Sequence, residues 1–259
     1  MNLRDDPRVE PSRRITIVTG AGRGIGAATA GRLARMGHDV VVNYRSDSGA
    51  AEGVVRTVEA AGRRACAVRA DVTTEDDVER LFAVARSELG KVTGLVNNAG
   101  ATLHIGDLAE TPVSVIRDVL DVNLLATVLC ARVAARVMST RRGGAGGAIV
   151  NVSSAAATLG SPHEYVHYAA AKAGVEALTL GLAKELAADG IRVNAVAPGI
   201  VRTEIHAAAG APDRAERLAG RIPFGRAAEP HEVATAIGFL LSDDAAYVSG
   251  TVLRVAGGL

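Results

Sequence analysis

Short apolar runs alternate with longer amphipathic stretches from one end of the chain to the other, the pattern of repeated βαβ units. The apolar runs predict strands over 15–19, 39–44, 65–70, 94–97, 147–152, 192–197 and 251–255. Between them, apolar positions at three- and four-residue spacing predict helices over 24–36, 48–61, 75–89, 113–139, 166–188 and 230–242. Thr74, followed by Glu75, Asp76 and Asp77, gives the third helix an acidic first turn suited to the helix dipole. Together these elements give an α/β fold: a three-layer, doubly wound Rossmann-type sheet of seven mainly parallel strands with helices on both faces. Right-handed crossovers and a reversal of strand order after the third strand place the ends of the first and fourth strands beside a crevice. Ligands bind there in this architecture.

Two motifs fall at that crevice. Thr19-Gly-Ala-Gly-Arg-Gly-Ile-Gly26 leaves the first strand and opens the first helix, so backbone N–H groups at the helix start can cradle a pyrophosphate. Two registers fit: Gly22, Gly24 and Ala27 match the general dinucleotide fingerprint, and Gly20, Gly24 and Gly26 match a longer-spaced variant. Arg23 and Ile25 lie inside the same turn. Asn97-Asn98-Ala99-Gly100 follows the fourth strand. No Gly-Lys-Ser/Thr of the Walker type is present, which argues against an NTPase. At the end of the second strand, where an NAD site usually places an Asp or Glu, stand Tyr44 and Arg45. Arg23 and Arg45 are both suited to the extra 2′-phosphate of NADP, so NADP (NADPH) is expected in preference to NAD.

Tyr168-Ala-Ala-Ala-Lys172 sets a phenol and an ammonium one helical turn apart. Many ordinary helices carry such a pair; its position after Ser153-Ser154 and opposite the Gly-rich turn is what points to chemistry. Bringing a phenol from about 10 to near 7 takes roughly 4 kcal/mol, the order an ammonium at about 4 Å supplies at an effective dielectric near 20. Lys172, helped by the positive nicotinamide of the oxidised cofactor, is therefore expected to pull Tyr168 down. Tyr165 competes for the proton-transfer role but has no Lys four residues on; His163 and His167 read as surface histidines.

With these motifs assembled, the chain resembles the short-chain dehydrogenase/reductase family from Ile15 to Gly258, nearest its 3-oxoacyl-carrier-protein reductase and glucose dehydrogenase branches. Thr19–Gly26, Asp71-Val72, Asn97–Gly100, Asn123, Ser154, Tyr168, Lys172 and Pro198-Gly199 with Thr203 carry the match. The resemblance implies hydride transfer between nicotinamide and a secondary alcohol or ketone, with Asn123, Ser154, Tyr168 and Lys172 catalytic. It further implies that Asp71 and Val72 hold the adenine and that Asn98, Ala99 and Gly100 line the crevice. Pro198, Gly199, Val201 and Thr203 would grip the nicotinamide amide. Ser154 would orient the substrate oxygen, Lys172 would bond the ribose, and Asn123 would hold a water relay. A homotetramer or homodimer is the family expectation. A non-catalytic dinucleotide sensor or scaffold of the same fold is the competing class.

Two departures bear on the substrate. The interval from Ser154 to Tyr168 is one residue longer than the commonest family spacing, and the bulge Pro162-His-Glu-Tyr165 is expected to reshape the substrate wall. Asp189 stands where carrier-protein reductases of the family often present a basic residue, with Arg141-Arg142 as a partial substitute. A sugar or polyol, a 3-oxoacyl thioester and a polycyclic ketone stay open, in that order.

Composition narrows the setting. A net charge of +1 gives no reason to expect nucleic acid or an anionic membrane as a partner, and the pairs Arg13-Arg14, Arg63-Arg64 and Arg141-Arg142 read as solvated faces. Cys66 and Cys130 have no metal-ligand spacing and read as buried thiols in a reducing cytoplasm, with no metal site expected. Residues 1–14 read as a flexible tail without the apolar run of a signal peptide. Residues 15–259 read as a single catalytic domain with a substrate lid near 202–225, and the Ala-rich stretch around 207–211 reads as a loop.

Overall fold

A computed structural model describes residues 13–259. The expected tail therefore lies outside the described residues as far as residue 12, and Arg14 already opens the first strand. The strands are β1 (Arg14–Val18), β2 (His38–Tyr44), β3 (Ala65–Arg69), β4 (Gly94–Asn97), β5 (Gly147–Val152), β6 (Ile191–Pro198) and β7 (Val252–Val255). They form one sheet in the order β3-β2-β1-β4-β5-β6-β7, every neighbouring pair parallel. Ile17 pairs with Val41 on one side and Leu95 on the other, so the order reverses about β1 and the crevice opens between β1 and β4.

The apolar runs are strands because both faces of the sheet are covered. Ile15 and Ile17, with Leu95 and Ile149, pack under α3 (Glu75–Glu88), α5 (Ala126–Met138) and α7 (Val166–Glu185). Val18, Val40, Val42 and Val96 face the other way, against α1 (Gly24–Arg35), α2 (Ser48–Ala60) and α10 (Pro230–Leu241). Each such side chain, fully buried, stabilises the fold by roughly 1.5–3 kcal/mol. Asp47 caps α2 by accepting from the Ala50 amide at 2.9 Å, and Glu229 with Glu232 forms a capping box on α10.

The helix expected over 113–139 is not continuous. α4 (Val113–Leu120) and α5 are joined by a π turn over Asp121–Leu125. The buried amide of Asn123 sits in that turn and donates to the carbonyls of Ala101 at 2.7 Å and Val119 at 2.8 Å. One extra residue in the turn brings Asn123 to the loop after β4, which a single helical period does not reveal. A short helix, α6 (Ala156–Leu159), follows β5. Between β6 and α10 run α8 (Ile205–Ala208), α9 (Arg214–Leu218) and a 3₁₀ turn over Ala219–Arg221. The first part of the Ala-rich stretch is thus helical.

The three basic pairs are more than solvated faces. Arg13, Arg63 and Arg64 approach the buried carboxylate of Asp39 at 3.7, 2.8 and 3.5 Å, while Arg14 pairs with Asp243 at 2.6 Å. A buried carboxylate requires such partners. Among the described residues no helix is long and apolar enough to cross a membrane, and no three His, Cys, Asp or Glu side chains gather as for a metal.

Candidate active site

The carboxyl ends of the central strands border a crevice of about 880 Å³. The Gly-rich turn forms one wall. Thr19 Oγ1 accepts from the amides of Asn98 at 2.9 Å and Ala99 at 3.0 Å, and the Asn98 side chain donates to the carbonyls of Thr19 at 2.9 Å and Gly20 at 3.1 Å. Two motifs 79 residues apart are thereby stapled face to face. Gly20 has φ of +60°, and a Cβ on Gly26 would lie 2.5 Å from the Gly20 carbonyl oxygen and 2.6 Å from Asn98 Nδ2. At Gly22 the nearest atoms are 3.7 Å away. Backbone geometry therefore selects the register Gly20, Gly24, Gly26. Arg23, the N-cap of α1, makes no side-chain cap, so the first-turn N–H groups of that 12-residue helix face the crevice as an anion cradle.

At the end of β2, Tyr44 is half-buried and Arg45 exposed, and both line the crevice. The nearby carboxylate of Asp47 is engaged as the cap of α2. Asn43 was not singled out from sequence. Its Oδ1 accepts from the Gly20 amide at 3.2 Å, while Nδ2 donates to Val68 and Ala70 carbonyls at 3.3 and 3.1 Å. A polar residue directly after the apolar run Val40–Val42 of a strand buried on both faces was the available signal, because it demands buried partners. Asp71 forms a tight turn in which its carboxylate accepts from the amide and hydroxyl of Thr73 at 3.1 and 2.7 Å, and Val72 is buried beside it.

The chemical end lies at the start of α7. Tyr168 and Lys172 are 8% and 3% exposed, and Lys172 Nζ donates to the Val152 carbonyl at 2.9 Å, 5.6 Å from the centre of the Tyr168 ring. Burial lowers Lys172 to about 8. Burial also drives Tyr168 well above its ordinary value, with a hydrogen bond to Ser154 pulling weakly the other way. Desolvation of the phenol thus opposes the ammonium, and the chain's own groups by themselves keep Tyr168 protonated. Ser154 Oγ also accepts from the Ala156 amide at 3.2 Å, whereas Ser153 turns inward to Glu176 at 2.8 Å and the Lys172 carbonyl at 3.2 Å. The two serines are thus separated by position, Ser154 alone meeting the phenol.

Of the residues expected at the site, Gly20, Gly22, Arg23, Gly24, Ile25, Tyr44, Arg45, Asp71, Val72, Asn98, Ala99, Gly100, Ser154, Tyr168, Lys172, Pro198, Gly199, Val201 and Thr203 line the crevice. Gly26 and Asn123 do not. Gly26 lies beneath the turn, where only its lack of a side chain lets the strands close. Asn123 is buried behind Gly100 and Ala101, and its side-chain amide donates to two carbonyls and so braces that loop.

The other end is lined by Leu103, Leu159, Ile205 and Leu218, with Tyr165 and Arg214 beside them. The Tyr165 hydroxyl accepts from Arg214 at 2.9 Å, which ties it to α9. His163 is exposed and bonded to Asp107 at 2.9 Å, but His167 is buried, contrary to expectation, and burial lowers its pKa. Arg214 and Glu164 went unnoticed in the sequence because they are 50 residues apart. Away from the crevice, Arg141 forks onto Asp189 at 2.7 and 2.9 Å, which leaves only Arg142 of that pair to substitute for a basic residue there.

Known proteins share this arrangement across the chain. The family model described as enoyl-(acyl carrier protein) reductase matches residues 20–259. The chain is similar to the uncharacterized oxidoreductase YgfF of Escherichia coli K12, with 45% identity over 244 residues covering 94% of this chain and 99% of that one. Similarity to cis-4-hydroxycyclohexanecarboxylate dehydrogenase of Sinomonas cyclohexanicum is 45% over 247 residues, 95% of this chain and 96% of the relative. Among solved structures, a short-chain type dehydrogenase/reductase from Mycobacterium marinum superimposes with a TM-score of 0.88 at 32% identity, covering 95% and 94% of the two chains.

Proposed function

The chain belongs to the short-chain dehydrogenase/reductase family of oxidoreductases, and from that premise we propose that it is an NADP(H)-dependent enzyme interconverting a ketone and a secondary alcohol. The observation that carries this reading is the convergence of Ser154, Tyr168 and Lys172 on one end of the crevice whose other end is the Gly-rich turn. The α1 amides would hold the pyrophosphate, Asp71 and Val72 the adenine, Arg23 and Arg45 the 2′-phosphate, and Pro198, Gly199, Val201 and Thr203 the nicotinamide amide. When bound, the nicotinamide supplies hydride to the carbonyl carbon. Tyr168 gives its proton to the carbonyl oxygen, Ser154 orients that oxygen, and Lys172, largely protonated at neutral pH, lies beside the phenol and compensates the charge left on it. A phenol that burial keeps protonated suits reduction, the direction in which it donates.

The apolar walls favour an alicyclic or acyl skeleton over a sugar, in keeping with the alicyclic alcohol named for the relative from Sinomonas cyclohexanicum. Residues 15–259 act in this reading as one catalytic domain, with 202–225 as the cover of the substrate end. Cys66 and Cys130 are thiols that burial pushes up to about 11 and 12, inert and suited to a reducing cytoplasm. Exposed Leu120, Leu125, Val137 and Leu180 support a homotetramer or homodimer, which light scattering of the purified protein would report.

The test is a panel of ketones and alcohols with NADPH and NADP followed at the nicotinamide absorbance. Tyr168→Phe is expected to cut turnover about 1,000-fold while NADPH affinity changes less than about threefold. Turnover that survives the substitution would sink the assignment, and a binding-only module would show no turnover beforehand.

A further inference from the structure

One buried arginine fastens the 202–225 segment to the loop before α7. Arg214, on α9, is 3% exposed. Its terminal nitrogens donate to the two carboxylate oxygens of Glu164 at 2.8 and 2.6 Å, and one of them also to the Tyr165 hydroxyl at 2.9 Å. The guanidinium carbon lies 5.2 Å from the centre of the Tyr165 ring. Tyr165 then meets Tyr168 edge to face, with 5.3 Å between ring centres and 83° between planes. The main-chain carbonyl of Glu164 accepts from the Gly106 amide at 2.8 Å, which draws in the loop after β4.

Three features show that this is a built contact. The bidentate fork is specific to a guanidinium meeting a carboxylate, and Glu164 is held below its ordinary pKa by the bond from Arg214. Among the described residues, the three non-glycine positions with left-handed backbone, Leu103, Ser161 and His163 with φ of +57°, +47° and +62°, all lie on the two loops that meet here. Such conformations persist only where surrounding contacts over-determine them. Arg214 is also no substrate anchor: its terminal nitrogens serve Glu164 and Tyr165, and its Nε is out of reach of solvent.

We propose that Arg214 is a positioning residue: seating of the 202–225 segment acts through Arg214, Glu164 and Tyr165 to set the ring of Tyr168 for proton transfer. The proposal rests on the reading of Tyr168 as the proton donor. In the full-length enzyme, Arg214→Met should lower kcat about 30-fold with KM and NADPH affinity each within about threefold, and Arg214→Lys should recover only part, since an ammonium cannot fork. Tyr165→Phe, which keeps the ring and removes the acceptor, should lower kcat about fivefold. Added to Tyr168→Phe, Arg214→Met should change the residual rate by less than about twofold, because the two act as one unit. Amide exchange in Arg214→Met should speed up over 161–168 as well as over 202–225.

A raised KM with kcat intact, full additivity with Tyr168→Phe, or faster exchange confined to 202–225 would each overturn the coupling. Should Arg214→Met not fold, Tyr165→Phe decides, and an unchanged kcat there refutes the proposal. If Tyr168→Phe turns over like the parent, it is the assigned reaction that fails, and the exchange pattern still reports on the coupling independently.

Discussion

The two ends of the crevice are built by different means. At the Gly-rich end, main chain is held by short buried polar side chains: Thr19, Asn43 and Asn98 bridge β1, β2, β3 and β4, and the glycines are set by space. At the substrate end, loops and a short helix are held by a forked ion pair and an aromatic edge, Glu164 to Arg214 and Tyr165 to Tyr168. Short amides in a packed sheet leave little room for movement or change, whereas an ion pair between a loop and a short helix is a single fastening. The first arrangement suits a ligand that is always the same. The second would suit the substrate cover proposed for 202–225.

The largest effect should come from filling the rigid end. Gly26→Ala places a methyl 2.5 Å from the Gly20 carbonyl oxygen, and should cost about 2–3 kcal/mol of stability and weaken NADPH binding more than about 100-fold, read by thermal unfolding and fluorescence titration. Gly22→Ala is the control, since nothing lies nearer than 3.7 Å; its stability should stay within about 0.5 kcal/mol of the parent. Equal effects of the two would mean that the turn is not the tight-packed wall described above.

Next in size is the response to pH of the residue shared by both ends. Lys172 titrates at about 8 in the folded protein against 10.5 in the unfolded chain. Between those values the unfolded state binds the extra proton, so stability rises with pH from about 8 to 10.5, by an amount on the order of 3 kcal/mol. Denaturant midpoints measured across that window should climb for the parent and stay flatter for Lys172→Met. A parent profile that falls instead would show that the ammonium is better compensated than its burial indicates.

The smallest of these effects concerns cofactor choice at the rim. Replacing both Arg23 and Arg45 by Ala should reduce the preference for NADPH over NADH, measured as a ratio of kcat/KM, by about 10- to 100-fold, since each charge-assisted bond at this exposed rim would contribute roughly 0.7–1.4 kcal/mol. An unchanged ratio would remove the two arginines from the 2′-phosphate.

The same contrast explains what could be read from sequence. β1, β2 and β4 stand out because strands covered on both faces are mostly apolar, and the Gly-rich turn stands out because a strand end, a phosphate cradle and a helix start must share eight residues. Tyr168 and Lys172 were legible because one helix carries both. Arg214 was not, since its partners Glu164 and Tyr165 are about 50 residues away and the fork exists only once α9 has packed. The opposing pull on Tyr168 was hidden for a related reason: spacing reveals the neighbouring ammonium but not the desolvation that works against it. His167 belongs with it, polar in sequence and buried in fact.

The π turn at Asp121–Leu125 has a bearing on how this chain can vary over time. It lets one stretch serve two neighbours in different rotational phases, α4 against α7 and α5 against α3 and β4. Losing a single residue there would restore an ordinary helix and swing α4 by about 100° relative to α5, carrying Val119 off α7 and Asn123 away from Ala101. Across 113–138, then, letters are freer to drift than length. A lineage could rewrite most of the exposed side chains of this stretch, but a one-codon deletion inside it would disconnect the brace behind Gly100 in one step.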